Sequence, residues 1–459
     1  TNAGPRRPVY ATRVDAGIIG LELANGGQRA IAPGDPAHDT LRIEWTNTVA
    51  FDSLSLRVFR TDGTFVDSQG LGGTAAGGHV YNWDGRLGGT LLPSGAYVIQ
   101  LQGLRGGSVY TAPSVSPVSD TQIARFGLMI GAAVPTSVVS FARPVSPNRA
   151  SSLTWTVTFG ASVSGLRTTD FVRSGTATGC IIGTPAGAGA VWKVTLTGCS
   201  AGTVTLGVKA DAVVDAVRNW GPDGQVNAAQ LLIDRSKPVA TAPRISLRSG
   251  VDLPSTSATA VMPATLSWSA TDPGGAGIRS YDLKRSVDGG TFADYATGVT
   301  GTSMSIGLTP GHTYRFEVRA TDRAGNVGGW VAGPTVRAAL TQQTSTSITW
   351  TGTWTSVTDS RFSGGSVRYT TATWAKATYS FTGRSIAWVT TFAPNRGIAK
   401  IYLDGVLAAT VDTTSATTTF HRVAFAKTWS ASGFHTIRIV VVGTAGRPRV
   451  DVDGFEILR

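Results

Sequence analysis

The residues best suited to chemistry lie in the last quarter of this 459-residue chain. Three aromatic side chains, Trp354, Tyr369 and Trp374, precede the adjacent pair Asn395 and Arg396. Flat aromatic rings pack against the apolar face of a pyranose, while amide and guanidinium groups hydrogen-bond to its hydroxyls. These five residues are therefore the candidate ligand-binding set, although each aromatic alone could instead belong to the core. Arg396 lies in a Pro-Asn-Arg-Gly turn before a strand, so we expect its polar tip to reach solvent.

Catalytic motifs are harder to find. The sequence contains no Gly-x-Ser-x-Gly elbow, no His-Glu-x-x-His pair and no phosphate-binding Gly-Lys loop. The carboxylates of a glycosidase need only meet in space, so motif analysis does not exclude them. Non-catalytic modules nevertheless account for every segment, and we predict a protein that is not an enzyme and has no catalytic residues. Its five histidines are dispersed in separate turn or domain contexts: His38, His79, His312, His421 and His435.

The formal charge of the chain is +12, from 40 Lys and Arg against 28 Asp and Glu. A basic surface favours anionic partners, but the arginines are scattered, and Arg6 and Arg7 form the only adjacent pair. This distribution argues against specific nucleic-acid binding. No segment reaches the roughly 18 apolar residues of a membrane span.

Two cysteines, Cys180 and Cys199, lie 19 residues apart within one predicted module. A strand, a turn and a second strand between them would bring the pair together across a sheet, which favours a disulfide. A buried pair of free thiols is the alternative. A zinc site is excluded because two cysteines without nearby histidines do not complete one.

The fold class predicted from composition and strand pattern is all-β. With 57 Gly, 21 Pro and only 15% charged residues, the chain suits short strands joined by tight turns, and no sustained helical periodicity is present. Its length suits about four sandwiches of roughly 100 residues. The phrase Leu128-Met129-Ile130 before Pro135 repeats as Leu231-Leu232-Ile233 before Pro238 and marks domain ends. We therefore predict domains at 1–130, 131–236, 237–340 and 341–459.

The first two predicted domains resemble bacterial Ig-like modules. Trp83-Asp84-Gly85 followed by Pro93-Ser94-Gly95-Ala96-Tyr97 resembles the signature of the Ig-like domain of the flagellar hook-capping protein family. In the second domain, Val163-Ser164-Gly165-Leu166 and Asp170-Phe171 resemble the bacterial Ig-like repeats of large surface proteins and adhesins. Both resemblances imply a scaffold or adhesive role.

The last two domains resemble other modules of secreted proteins. Trp268, Leu308 and Tyr314 stand where fibronectin type III domains have a core Trp, a Leu before a Pro-Gly turn and a corner Tyr bonded to the backbone. Residues 341–459 carry their glycine and strand motifs in the order seen in galactose-binding-like jelly rolls, which resemble carbohydrate-binding modules. The expected architecture is a tandem array of three Ig-like or fibronectin type III sandwiches and a C-terminal jelly roll.

The jelly-roll resemblance also raises a metal-binding alternative. Asp451 and Asp453 alternate on one predicted strand near the C-terminus, where related modules often hold a structural calcium. Calcium needs six to eight oxygen ligands, and beyond these two carboxylates we count only Asp359 and Glu456 as distant possibilities. A solvated strand end is the favoured interpretation of the two aspartates, and no other cofactor is predicted.

These observations favour a non-enzymatic structural or adhesive protein, secreted by or displayed on a bacterium. It would be a subunit of an extracellular fibre or surface array, with self-association or an extracellular polymer such as a glycan as its partner. The N-terminal segment could complete the sheet of a neighbouring subunit. The alternative is a carbohydrate-binding module carried on Ig-like spacers, as in an adhesin or the targeting part of a carbohydrate-active system.

Overall fold

The computed structural model describes residues 17–24, 28–72, 74–252 and 261–459. They form antiparallel sheets with few parallel contacts, so the predicted all-β class is confirmed. These residues include one α-helix, Asp120–Phe126, which the sequence analysis missed. No helix among the described residues is long and apolar enough to cross a membrane. The expected N-terminal segment with Arg6 and Arg7 lies outside the described residues. The chain divides into two compact units, Thr1–Arg235 and Ser236–Arg459.

The first half of unit 1 is built from two larger sheets and a two-stranded hairpin around a core that includes Trp83 and Tyr97, both fully buried. Alternation of apolar and polar residues predicts its strands because every second side chain enters the core. The hydroxyl of Tyr97 donates to the carbonyl of Pro93 at 2.6 Å, which ties the Pro-Ser-Gly turn to the strand that follows. The strands are Ile18–Ala24, Ala30–Ile31, Leu41–Asn47, Ser53–Arg60, Phe65–Leu71, Gly77–Trp83, Arg86–Leu87, Thr90–Leu91, Gly95–Arg105, Ser108–Ala112 and Gly127–Ile130.

The second half of unit 1 has a separate core centred on Trp155 and Phe159. Cys180 and Cys199 form a disulfide, with Cys199 in this core and Cys180 packed against it. A short 3-10 turn, Thr168–Asp170, leads into one of its sheets. The strands are Val138–Ala142, Ser152–Phe159, Phe171–Ser174, Ile181–Ile182, Ala186–Ala188, Val191–Thr197, Gly202–Val208, Val213–Val214, Trp220–Gly221, Val226–Asn227 and Leu231–Ile233.

The first half of unit 2 buries Trp268, Leu308 and Tyr314 in one core. The hydroxyl of Tyr314 accepts a hydrogen bond from the backbone amide of Thr309 at 2.9 Å. This is the backbone contact expected of a corner tyrosine, while the fibronectin type III assignment itself stays a prediction. The strands are Val239–Ala240, Arg244–Leu247, Met262–Ser267, Ala270–Thr271, Ile278–Val287, Ala293–Val299, Ser303–Leu308, Thr313–Asp322, Val331–Ala332 and Val336–Gln342.

The second half of unit 2 has its own core, in which Phe381 and Trp388 are buried. Long strands cross it, and a 3-10 turn, Ser363–Gly365, precedes one of the shorter ones. The strands are Ile348–Thr351, Thr355–Thr358, Ser366–Thr370, Lys376–Phe392, Ile398–Leu403, Val406–Asp412, Thr419–Val441, Val450–Val452 and Gly454–Leu458.

One strand, Val336–Gln342, joins the sheets of the two halves of unit 2. Its start pairs with Thr313–Asp322, and its remainder pairs with Gly454–Leu458, so a single sheet runs through both halves. The predicted boundary between residues 340 and 341 therefore falls inside a continuous strand. The division into four domains otherwise stays a prediction.

Candidate functional site

The loops at one edge of the last β-structure surround the Asn395 and Arg396 turn. This turn connects the strands Lys376–Phe392 and Ile398–Leu403. Its backbone is fixed by Gly397, whose amide donates to the carbonyl of Arg449 at 2.8 Å. A side chain at Gly397 would bring its Cβ within 2.4 Å of the carbonyl oxygen of Arg447. Glycine is therefore required where these two loops meet.

Arg396 is buried, which corrects the expectation that its tip reaches solvent. Its Nε and Nη2 atoms lie 2.7 and 2.6 Å from one carboxylate oxygen of Asp451. The other oxygen of Asp451 accepts from Nε of Arg449 at 2.7 Å. Burial lowers the pKa of Arg396, and the Asp451 charge opposes that shift. Arg396 therefore supports the turn from below and has little freedom to make forked bonds to a ligand.

Asn395 is exposed above this buried pair, and its side-chain oxygen accepts from Arg396. It lines an open cleft of about 500 Å³. The turn is thus held from inside the protein while the Asn395 side chain stands at the cleft. The lining residues come from four segments of the chain: Val357, Asp359, Arg361, Phe362, Ala393, Pro394, Asn395, Arg396, Thr418, Phe420 and Arg449.

The opposite wall of the cleft contains an arginine on an aromatic ring. The guanidinium of Arg361 lies 4.5 Å from the ring centroid of Phe420, and its Nη2 is 2.6 Å from a carboxylate oxygen of Asp359. Hydrogen bonds from the Arg361 side chain and backbone lower the pKa of Asp359 to about 2. Asp359 is therefore ionised at neutral pH and already paired, while Arg361, with a side chain 62% exposed, keeps donors facing solvent.

None of the three predicted aromatic residues belongs to the cleft lining, and two of them, Tyr369 and Trp354, pack on other protein groups. The ring of Tyr369 lies under the guanidinium of Arg449 at 3.8 Å, so it supports a cleft residue. Trp354 packs against Trp350 with ring centroids 4.7 Å apart, and its Nε1 donates to the carbonyl of Thr351 at 3.2 Å. Both rings pack against other protein groups. This agrees with the alternative in which an aromatic side chain belongs to the core and does not bind a ligand.

Trp374 differs from the other predicted aromatics because it is 64% exposed. Its φ angle is 66°, a left-handed conformation that bulky residues rarely adopt. The preceding residue, Thr373, packs closely on Gly443. A Cβ at position 443 would lie 1.9 Å from the hydroxyl oxygen of Thr373. The loop that follows Gly443 reaches the Asn395 turn, because Oγ1 of Thr444 accepts from the amide of Ile398. Trp374 is thus connected to the Asn395 turn through the loop that follows Gly443.

The two aspartates considered for calcium are fully buried, which is contrary to the expected solvated strand end. Asp451 does not fit a calcium ligand because two guanidinium groups occupy its oxygens. Asp453 accepts from the amide of Ser363 at 3.1 Å and has a second oxygen without a partner. Burial raises the pKa of Asp453 to about 8. Calcium binding by Asp453 stays a prediction.

Sequence reasoning missed Arg361, Phe420 and Arg449. One signal was present in the sequence, since Arg449 precedes Asp451 by two positions and such residues share one face of a strand. No comparable signal marks Phe420, because it approaches Arg361 only through the folded chain.

Comparisons with known proteins cover parts of the chain. Residues 35–107 match the family model of the FlgD Ig-like domain. This match confirms the resemblance predicted from the segment between Trp83 and Tyr97.

The relatives are also partial. An A type blood N-acetyl-alpha-D-galactosamine deacetylase of Flavonifractor plautii is 36% identical over 24% of this chain and 14% of its own length. Endoglucanase B of Cellulomonas fimi is 29% identical over 29% of this chain and 15% of its own length. A crystal structure of titin domains A168-A170 aligns with 70% of this chain and 98% of the titin chain at 14% identity, with a TM-score of 0.29. The chain thus spans about one seventh of the length of these two relatives.

Proposed function

We propose that this chain is a non-enzymatic, adhesive protein of the bacterial surface or exterior that binds carbohydrate in the cleft beside Asn395. The observation that carries the proposal is the cleft itself, which places exposed amide and guanidinium donors over a rigid, buried support. Its volume of about 500 Å³ lies within the range of small-ligand sites, roughly 300–1,000 Å³.

The donors of the cleft suit hydroxyl groups. Asn395 offers an exposed amide, and Arg361 offers a guanidinium whose partner, Asp359, leaves several of its donors unused. The Arg396 pair with Asp451 fixes the turn before any ligand arrives. Such preorganisation favours binding because little conformational freedom is lost on association.

Partial relatives support a carbohydrate context. Two of them carry names that refer to sugar chemistry, a galactosamine deacetylase and an endoglucanase. The aligned parts are small fractions of those proteins. We therefore propose that this chain binds carbohydrate, and we do not propose that it catalyses the reactions named for the relatives.

We also propose that the cleft does not catalyse a reaction on the carbohydrate. Among the cleft residues that the structure describes, Asp359 is the only carboxylate, and it is held by Arg361. General acid and base catalysis by a glycosidase requires two carboxyl groups placed on either side of the scissile bond. The cleft residues supply donors for recognition rather than such a pair.

A glycan array with the full chain tests the proposal. We expect selective retention of one glycan class, and Arg361→Ala or Asn395→Ala should weaken it by about tenfold, the effect of losing one hydrogen bond to a charged or polar group. Arg86→Ala is the matched control, because Arg86 also pairs with an aspartate two residues before it, Asp84, in unit 1. If Arg361→Ala and Arg86→Ala retain the same glycans equally, the cleft is not the binding site.

A structural role through self-association is a second candidate. The strand Val406–Asp412 is the last of its sheet, and within the described residues only one of its edges is paired. Val406 and Leu407 are 72% and 49% exposed there. An open edge with apolar side chains is a template for pairing with another chain. Light scattering of the full chain should then show oligomers that Leu407→Lys disperses, and a concentration-independent monomer would remove this candidate.

A further inference from the structure

A second cleft, of about 320 Å³, lies within unit 2 and shares no lining residue with the cleft beside Asn395. Its lining combines three arginines with small and hydroxyl-bearing residues and contains no Asp or Glu. The side chains of this lining therefore carry positive charge and no negative charge. The lining residues are Ala242, Arg244, Pro334, Thr335, Arg384, Ser430, Ala431, Ser432 and Arg459.

A large bulge places Arg384 in this cleft. In the pairing of the strands Lys376–Phe392 and Thr419–Val441, Gly383 faces Gly433, and Ser385 faces Thr428. Arg384 alone therefore opposes the segment 429–432, which leaves the regular ladder. Bulges redirect side chains and are common beside functional sites. Ser430 and Ser432 lie in the bulged segment and are exposed at the cleft.

Arg384 is buried without a partner. It is 8% exposed, its Nε atom has no hydrogen-bond acceptor, and none of the ion pairs among the described residues includes it. Arg396 is a useful comparison, since it is 6% exposed but is paired with Asp451. Two arginines with similarly low exposure thus differ, because Arg396 has a carboxylate partner and Arg384 has none among the described residues.

A guanidinium cannot relieve its burial by losing a proton, because its pKa stays far above neutral pH. Burial, reinforced by the charge of Arg244, lowers the pKa of Arg384. The guanidinium nevertheless stays charged and still lacks a counter-charge. An uncompensated buried charge is strongly unfavourable. A bound anion would remove this imbalance and would also be attracted by Arg244.

We propose that the cleft binds an oxyanion, the carboxylate or sulfate group of an acidic sugar, with Arg384 as its principal contact. The planar guanidinium can bond two oxygens of such a group in a forked arrangement. The hydroxyls of Thr335, Ser430 and Ser432 are placed to contact the remaining oxygens or the sugar ring. A free inorganic anion would share this chemistry, so the test separates the two sources.

Saturation-transfer NMR of sodium glucuronate with the full chain, at ionic strength fixed by chloride, is the direct test. We expect saturation transfer to glucuronate and its displacement by sodium sulfate. Arg384→Met should weaken glucuronate binding by about tenfold or more, since it removes a charge-assisted contact. Arg384→Lys should weaken it less, because the charge remains but the fork is lost.

Two controls isolate the site. Arg279→Ala removes an exposed arginine that does not line this cleft and should leave glucuronate binding unchanged. Arg86→Ala, at a half-exposed arginine of unit 1 that lines neither cleft, should also leave it unchanged. If sulfate raises the melting temperature of the wild type more than that of Arg384→Met but glucuronate does not bind, the oxyanion site stands and its ligand is a free anion. Equal responses of the wild type and Arg384→Met to both anions would overturn the proposal.

Discussion

Arg396 and Asp451 form a buried ion pair whose closest nitrogen and oxygen atoms lie 2.6 Å apart, with side-chain exposures of 7% and 0%. The two residues are 55 positions apart in the sequence, so their pairing closes one edge of the last β-structure. Since Arg449 approaches the other oxygen of Asp451, one carboxylate fixes two loops. The loops that line the candidate carbohydrate cleft are therefore held in place by this buried contact.

Arg396→Ala should lower the free energy of unfolding of unit 2 by about 3–5 kcal/mol, because it leaves the buried carboxylate short of a partner. Chemical denaturation followed by tryptophan fluorescence measures the change. Arg361→Ala is the control, since Arg361 pairs with Asp359 at the surface, where solvent screening keeps the contribution of an ion pair to stability small. Equal, small losses in both variants would show that the Arg396 pair does not stabilise the fold.

The strands of this protein were largely predictable from the sequence. Alternating apolar side chains predict strands such as Ser53–Arg60 and Ser152–Phe159, because a strand with one buried face repeats every two residues. Local turn residues indicate the connections.

The site was only partly predictable. Asn395 was identified because its turn is local, but the burial of Arg396 depends on Asp451, a distant residue in the sequence. The boundary predicted at 340 falls at the start of a polar stretch, yet pairing with Gly454–Leu458 places the first residues of that stretch, Thr341 and Gln342, in a strand. Both cases depend on contacts between remote segments, which residue patterns in one sequence do not specify.

Tyr314→Phe should destabilise unit 2 by about 0.5–1.5 kcal/mol, because the amide of Thr309 loses its acceptor. Carbohydrate binding should not change. Tyr295→Phe is a suitable control, since that ring packs on Phe316 and its hydroxyl makes no hydrogen bond that the structure shows. Denaturation of the three proteins decides the matter, and a Tyr314→Phe change as small as that of the control would mean that the hydroxyl contact contributes nothing.

Reduction of the disulfide between Cys180 and Cys199 should destabilise unit 1 by about 2–4 kcal/mol, because the open chain gains conformational freedom when unfolded. Alkylation under denaturing conditions, followed by mass spectrometry, establishes the bond in protein isolated without reductant. Two alkylated thiols in that sample would contradict it. A Cys180→Ser and Cys199→Ser double variant should melt like the reduced protein and show no further response to reductant.

The stability of unit 2 should fall as pH rises from about 4.5 to about 8. Burial raises the pKa of Glu456 from 4.5 to about 8 and that of Asp453 to a similar value, so the folded protein holds protons that the unfolded chain releases in this range. Both oxygens of Glu456 lack hydrogen-bond partners, and Glu456→Gln, which keeps the shape of the neutral acid, should remove its share of the pH dependence. We expect the variant to match the wild type near pH 4.5 and to be more stable at pH 8 in urea denaturation. Parallel curves for the two proteins across this range would show that Glu456 does not bind an extra proton in the folded state.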